Sequence, residues 1–221
     1  MTAAASNNAR AAILATLRQG LSDAPFSVPA PPARPASVPV GADAWERLAA
    51  VLEPLGVRLR LAGTRAEACE HAADIARERQ ARTYVRWDAA LDGLGLDEAL
   101  SGLTRVAPGP CKDLGQVDLG LALAHGALLE SGSMVLVAAP GRPRAASLLP
   151  PASVILVPKA ALLPDVSQVP ALFARHGADG QLPSCLNLVT GPSSTADIEL
   201  VLVRGVHGPG TLDIIGLDWD E

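Results

Sequence analysis

The sequence predicts an α/β domain with a mixed, mainly parallel sheet flanked by helices. Three observations carry that expectation. Between residues 41 and 108, short alternating or β-branched runs are separated by amphipathic runs, and such alternation predicts parallel strands joined by right-handed crossovers. From residue 117 onward, apolar runs follow one another with only Gly, Ser or Pro between them, which adds strands with short connections. Of the 221 residues, 49% are hydrophobic but only 3% aromatic, so the core is aliphatic and large enough for one substantial domain.

Residues 8–20 read as a short helix, with Ile13, Leu14, Leu17 and Leu21 at helical spacing. Six of the sixteen residues over 25–40 are proline, so this segment neither continues a helix nor pairs as a central strand, and it reads as a semi-rigid arm. The chain is thus expected to divide into a helix and Pro-rich arm over 1–40 and an α/β domain over 41–221. Trp45, Leu48, Ala49, Val51 and Leu52 mark one helix face, and 57–61 alternates as a strand. Thr64 and Glu67 have capping-box spacing at the head of a helix reaching about Gln80. A strand over 83–87, a helical stretch over 88–100 interrupted at Gly93 and Gly95, and a strand over 103–108 follow. The runs 117–126, 127–140 and 153–159 supply further strands. Residues 165–176 form a helix with Val166, Val169 and Phe173 on its inner side. A strand over 186–191, a helix starting in 193–203 and a last strand over 211–218 complete the pattern.

Eighteen basic against twenty-three acidic residues give a net charge of −5. No basic stripe serves a phosphate backbone and few aromatics offer stacking platforms, which argues against nucleic acid. The same balance argues weakly against an anionic membrane surface. Cys69, Cys111 and Cys185 form no C-x-x-C pair, so neither an iron–sulfur cluster nor a thiolate zinc is expected within this chain. Their odd, sparse count fits a reducing compartment. His71, His125, His176 and His207 are scattered without metal-ligand spacing, and no metal is expected. Arg10 and Arg18 bound the apolar part of the N-terminus, and His125, Glu130 and three glycines break the apolar stretch 119–139. A soluble cytoplasmic protein is the expectation.

The segment 189–210 is the most informative for chemistry. Gly191 and Pro192 make a turn, and Ser193, Ser194 and Thr195 lead toward Asp197 and Glu199. Ser194 with Asp197 resembles a capping box, so hydroxyls and helix N-terminal amides would together suit a phosphate or carboxylate; the same residues equally serve to cap a helix. Asp197 and Glu199, two apart, share no helix face. His207 lies between glycines in Gly205-Val206-His207-Gly208-Pro209-Gly210, which lets the backbone approach a ligand. Glu130 interrupts an apolar stretch, so it must be paired, exposed at a strand end or functional. Arg142 and Arg144 are a second candidate anion clamp and equally candidate partners for Glu130.

Several of these segments resemble one family. GPSSTADIE followed by RGVHGPG resembles the C-terminal signature of the LUD-domain proteins, in the LutC/YkgG branch linked to lactate utilisation. Upstream, ALLESGSMVLVAAPGRPRAASLLPP resembles that family's A-E-T-G-T strand pair and its Arg-x-x-Ser-Leu-Leu-Pro element. The match spans about 117–215. Carried over position by position, it points to Glu130, Gly132, Arg144, Ser147, Gly191, Pro192, Ser193, Thr195, Asp197, Glu199, His207, Gly208 and Pro209. Glu130 and His207 are the candidate catalytic groups among them and the others candidate ligand contacts. Ser131 and Ser133 stand where Glu-Thr-Gly-Thr text is usual, Ser153 where His is frequent, and Ser194 where a basic residue is common.

The resemblance implies a fold similar to the NagB/RpiA/CoA-transferase group, with ligands at the carboxyl ends of parallel strands. It implies a component of an L-lactate utilisation system, which oxidises lactate to pyruvate with iron–sulfur clusters held in partner proteins. This chain would then bind a small carboxylate or phosphate-bearing ligand or scaffold those partners. The alternative is a self-sufficient enzyme or binding protein for a phosphorylated, CoA-like or folate-like molecule. The Pro-rich arm could wrap a neighbouring subunit of a homo-oligomer.

Overall fold

The computed structural model describes residues 3–23, 36–107, 111–176, 182–195 and 202–219. The chain forms two compact units, Met1–Ala36 and Ser37–Glu221. The first holds helix α1 (Ala3–Asp23), longer at both ends than its apolar spacing suggests. The Pro-rich arm lies outside the described residues up to residue 35.

In the second unit, α2 (Ala44–Leu52) buries Ala44, Trp45, Leu48 and Leu52 on one face. A 3-10 turn ends at Gly56, whose φ of 70° is open to glycine at little cost, and β1 (Arg58–Ala62) follows. Thr64 caps α3 (Arg65–Glu78), its hydroxyl accepting from the Glu67 amide at 3.2 Å. Glu67 answers by accepting from the Gly63 amide at 2.7 Å, one residue before the usual capping-box donor. Next come β2 (Thr83–Val85), a 3-10 turn over Ala89–Leu94, α4 (Leu96–Ala99) and β3 (Thr104–Arg105), with the expected interruption at Gly95. The second half contains β4 (Leu119–Leu123), β5 (Gly126–Leu128), β6 (Ser133–Ala138), α5 (Ala145–Leu148), β7 (Ala152–Pro158) and β8 (Leu162–Leu163). It ends with α6 (Val169–His176), β9 (Cys185–Val189), β10 (Ser194–Thr195), β11 (Val203–Arg204) and β12 (Thr211–Leu217).

The strands divide between two larger sheets and a ribbon. A six-stranded sheet of order β1-β12-β7-β4-β2-β3 is parallel throughout. The mixed character expected of the sheet resides in a second one, β8-β5-β6-β9, where β6 pairs antiparallel with both β5 and β9. One face of the parallel sheet packs Leu121, Val154 and Ile215 on Ala68 and Ile75 of α3 and on Leu91. The other packs Ile155 and Ile214 on Trp45 and Leu48 of α2 and on Met134 and Leu136 of the second sheet. Continuous apolar runs such as Val154 to Val157 are what a strand buried on both faces requires.

Two expectations change. Leu172, not Phe173, carries the buried face of α6, packing on Leu128 and Val135. Residues 166–168 form a 3-10 turn capped by Asp165, and its tighter winding shifts the phase of the side chains that follow. The helix expected to start in 193–203 does not begin at Ser194 or Thr195: Ser194–Thr195 pairs antiparallel with Val203–Arg204. Asp197, Glu199 and the rest of 196–201 lie outside the described residues.

Candidate functional site

Several sequence-predicted residues meet in one cavity of about 340 Å³. One wall is the turn after β9, from Thr190 to Ser194, and the opposite wall is His207-Gly208-Pro209 in the loop between β11 and β12. The ribbon holds these walls together. The Ser193 amide donates to Pro209 O at 2.8 Å, and the Gly205 amide donates to Ser193 O at 2.9 Å. Gly205 has φ +82°, and a Cβ there would stand 3.1 Å from the Gly210 Cα. Side chains at that crossing would force the loop off the turn. Ser147 and Leu148 at the end of α5 and Ser153 at the start of β7 close the floor.

Serine and threonine hydroxyls supply most of the side-chain polarity. Ser153 is 2% exposed and its Oγ has no hydrogen-bond partner, an uncompensated buried group that a ligand could satisfy. Thr190 Oγ1 is 2.6 Å from Ser133 Oγ, which is 2.8 Å from Ser131 Oγ. This chain of hydroxyls leads back to the β5–β6 turn. His207 is exposed, and among the described residues no Asp, Glu, Lys or Arg lines the cavity.

The cavity gathers Ser147, Gly191, Pro192, Ser193, His207, Gly208 and Pro209. Thr195 sits next to it in the ribbon and is not part of its wall. Glu130 does not line it: that carboxylate is exposed at the β5–β6 turn and accepts from the Val166 amide at 3.3 Å. Gly132 makes the same turn at φ +68°, against Leu52. Its location also differs from expectation, since Ser153 and Leu212 belong to the amino-terminal ends of β7 and β12. Without a helix start at Ser194, the expected N-terminal amides give way to hydroxyls and loop backbone.

Arg144 lines a second, smaller cavity of about 40 Å³, with Trp87, His125, Arg142 and Asn187; Ser147 borders both. This one lies where β2 and β4 end, the position expected for a ligand in an open parallel sheet. Arg142 Nη1 lies 2.6 Å from His125 Nε2, and the Val137 amide donates to Nδ1 on the other side of the ring at 3.4 Å. Burial, then the charge of Arg142 and the neighbouring His176, hold His125 down to about 4. Sequence reasoning passed over His125, Thr190 and Asn187; only the rarity of polar residues in those apolar stretches marks them.

Among the described residues, no three His, Cys, Asp or Glu side chains converge as metal ligands would, and no helix is long and apolar enough to cross a membrane. Fold and cavities together define an α/β domain: a parallel sheet backed by a smaller mixed sheet, with a cavity at each end of its strands. The sequence model of the LUD domain matches residues 45–216, and the chain belongs to that family. A "Lactate utilization protein C" from Halalkalibacterium halodurans is 46% identical over 95 residues, covering 42% of this chain and 41% of that protein. The match therefore spans about two fifths of that relative's length. "Uncharacterized protein YkgG" from Escherichia coli K12 is 39% identical over 153 residues, 65% of this chain and 66% of that protein. A crystal structure of a DUF162 family protein from Deinococcus radiodurans superposes with a TM-score of 0.58 over 81% of this chain and 99% of its own, at 19% identity, which is a likeness of fold.

Proposed function

We propose that this chain is a ligand-binding, non-redox component of an L-lactate utilisation system, working beside partners that hold iron–sulfur clusters. The observation that carries the proposal is the convergence of Ser147, Gly191 to Ser193 and His207 to Pro209 on one hydroxyl-lined cavity. The name borne by the Halalkalibacterium relative supports the pathway. The wide separation of Cys69, Cys111 and Cys185 in sequence supports the division of labour, with clusters in the partners.

In this reading the cavity takes a small hydroxylated acid. Hydroxyls of Ser153, Thr190 and Ser193 and the imidazole of His207 offer hydrogen bonds in both directions, which suits a ligand with alcohol and carboxylate oxygens. A phosphorylated or CoA-like ligand would call for cationic side chains in that wall, and none stands there among the described residues. Glu130 is exposed outside the cavity, so it contributes through its turn and the Ser131–Ser133–Thr190 hydroxyls.

A clean chromosomal deletion in the source organism, with L-lactate as sole carbon source, tests the proposal. The deletion abolishes growth, the intact gene restores it, and Ser193→Val restores it poorly although the protein accumulates. A tagged chain co-purifies with proteins carrying the visible absorption of iron–sulfur clusters. Undiminished growth of the deletion strain on lactate would overturn the assignment.

A further inference from the structure

The cavity at the ends of β2 and β4 has the makings of a second, independent site. The chain leaves β2 toward β3 on one side of the sheet, and from β4 the order continues through β7 to β12 on the other. Connections diverge there, leaving a crevice open at the strand ends. Arg142 and Arg144 both line it, and among the described residues neither has a carboxylate within ion-pair distance. Arg142 spends one N–H on the neutral His125, and Arg144 donates to Cys185 Sγ at 3.6 Å. Among the described residues, the one acidic residue in the wall, Asp88, accepts from the Ala90 amide at 3.0 Å.

Asn187 adds a third donor. Its Oδ1 accepts from the Cys185 thiol at 3.4 Å, while its buried Nδ2 has no partner. A buried donor left unpaired costs about 1–3 kcal/mol, which an incoming acceptor recovers. Leu121, Leu136 and Val137 add apolar surface to the same wall. A cavity of about 40 Å³ exceeds what one water occupies and is far too small for a nucleotide or CoA.

We propose that this cavity binds a short-chain monocarboxylate: Arg142 and Asn187 Nδ2 take the carboxylate, Arg144 attracts it from the rim, and the carbon chain lies on Leu121 and Leu136. Cation, unpaired amide and apolar wall in so small a space favour an anion with a short hydrocarbon end over a wholly polar anion such as inorganic phosphate. The inference does not rest on the lactate-utilisation reading, and it concerns different side chains.

Calorimetric titration of the full chain with acetate, propanoate, L-lactate and inorganic phosphate is the test. A monocarboxylate binds saturably, and Arg142→Gln weakens it about tenfold or more, as expected for loss of a charge-assisted bond. Arg144→Gln, at an exposed position where folding is not at risk, weakens it less but measurably, and it decides the matter should Arg142→Gln not fold. Ser193→Val, in the other cavity, leaves the binding of acetate and propanoate unchanged. The inference is overturned if no monocarboxylate binds, if phosphate binds as tightly, if both arginine variants bind like the parent chain, or if Ser193→Val alone abolishes the binding of acetate and propanoate. Failure of the lactate growth phenotype would leave these outcomes unaffected, so the two proposals fail separately.

Discussion

At the scale of single residues, the molecule spends its polar groups in two ways. Some are fully paired: Asp213 is 2% exposed, and Arg58 and Arg79 donate to its two oxygens at 2.9 and 2.7 Å. Others are held away from their preferred state, and His125 is the clearest case. Buried first, and then set beside Arg142 and His176, it is held down to about 4. Its pKa in the folded chain therefore lies below the value of about 6.5 in the unfolded chain. The unfolded state then binds more protons between those two values, so stability falls as pH drops from 6.5 toward 4, with no further loss from this group below that. His176 is lowered as well, chiefly by burial and then by Arg142 and Arg175, and it acts in the same direction. Because His125 is partly exposed, solvent screening reduces the effect, and about 1 kcal/mol is expected between pH 7 and pH 5. Urea unfolding of the parent chain and of His125→Asn at both pH values should show the difference shrinking in the variant by about that amount. Equal pH dependence in the two would count against this account of His125.

At the scale of elements, close approaches of backbone to backbone set where the cavities lie. Gly120 in β4 is the tightest. A Cβ there would stand 2.0 Å from Ala146 O, a main-chain atom of α5 that no rotamer change can move away. Since α5 carries Ser147, the residue shared by both cavities, Gly120→Ala should lift α5 and disturb both. The expected cost is about 3 kcal/mol, from overpacking against backbone. Gly93→Ala, at a position with nothing within 4 Å, is the control, and equal unfolding midpoints for the two variants would show that α5 is not seated on that glycine. The same contrast explains what could be read from sequence. The Thr64 cap and the strand–helix alternation are local patterns, and they recur in the fold at nearly the expected positions. The Gly-Pro turn at 191–192 and the loop at 205–210 are also local, and both line the first cavity. The cap signature at Ser194 was overruled by distant bonds, because Ser193 pairs through its backbone with Pro209 and Gly205. Asn187 could not be found from sequence at all: it reaches the second cavity only because β9 pairs with β6, setting it opposite Leu136.

At the scale of the whole molecule, the distribution of the core decides which part of the chain folds by itself. All four hydrophobic clusters draw on residues from Ala44 to Trp219. Within Ser37–Glu221 the parallel sheet is buried on both faces and the second sheet is covered by α6, so no layer lacks a partner there. The LUD match over residues 45–216 falls within the same unit. A chain beginning at Ser37 should therefore unfold in one cooperative transition, with a midpoint within about 2 °C of the full chain, since the described clusters that hold these layers lie wholly within it. Its binding of acetate or propanoate in the arginine cavity should be unchanged as well, because every described residue lining that cavity lies between Trp87 and Asn187. Calorimetric melting and titration of the two proteins side by side give both answers. A broadened, non-cooperative transition in the shorter chain would mean that residues 1–36 contribute to the folding of the α/β unit. A sharp transition with lost binding would instead place part of the ligand's environment in the N-terminal unit.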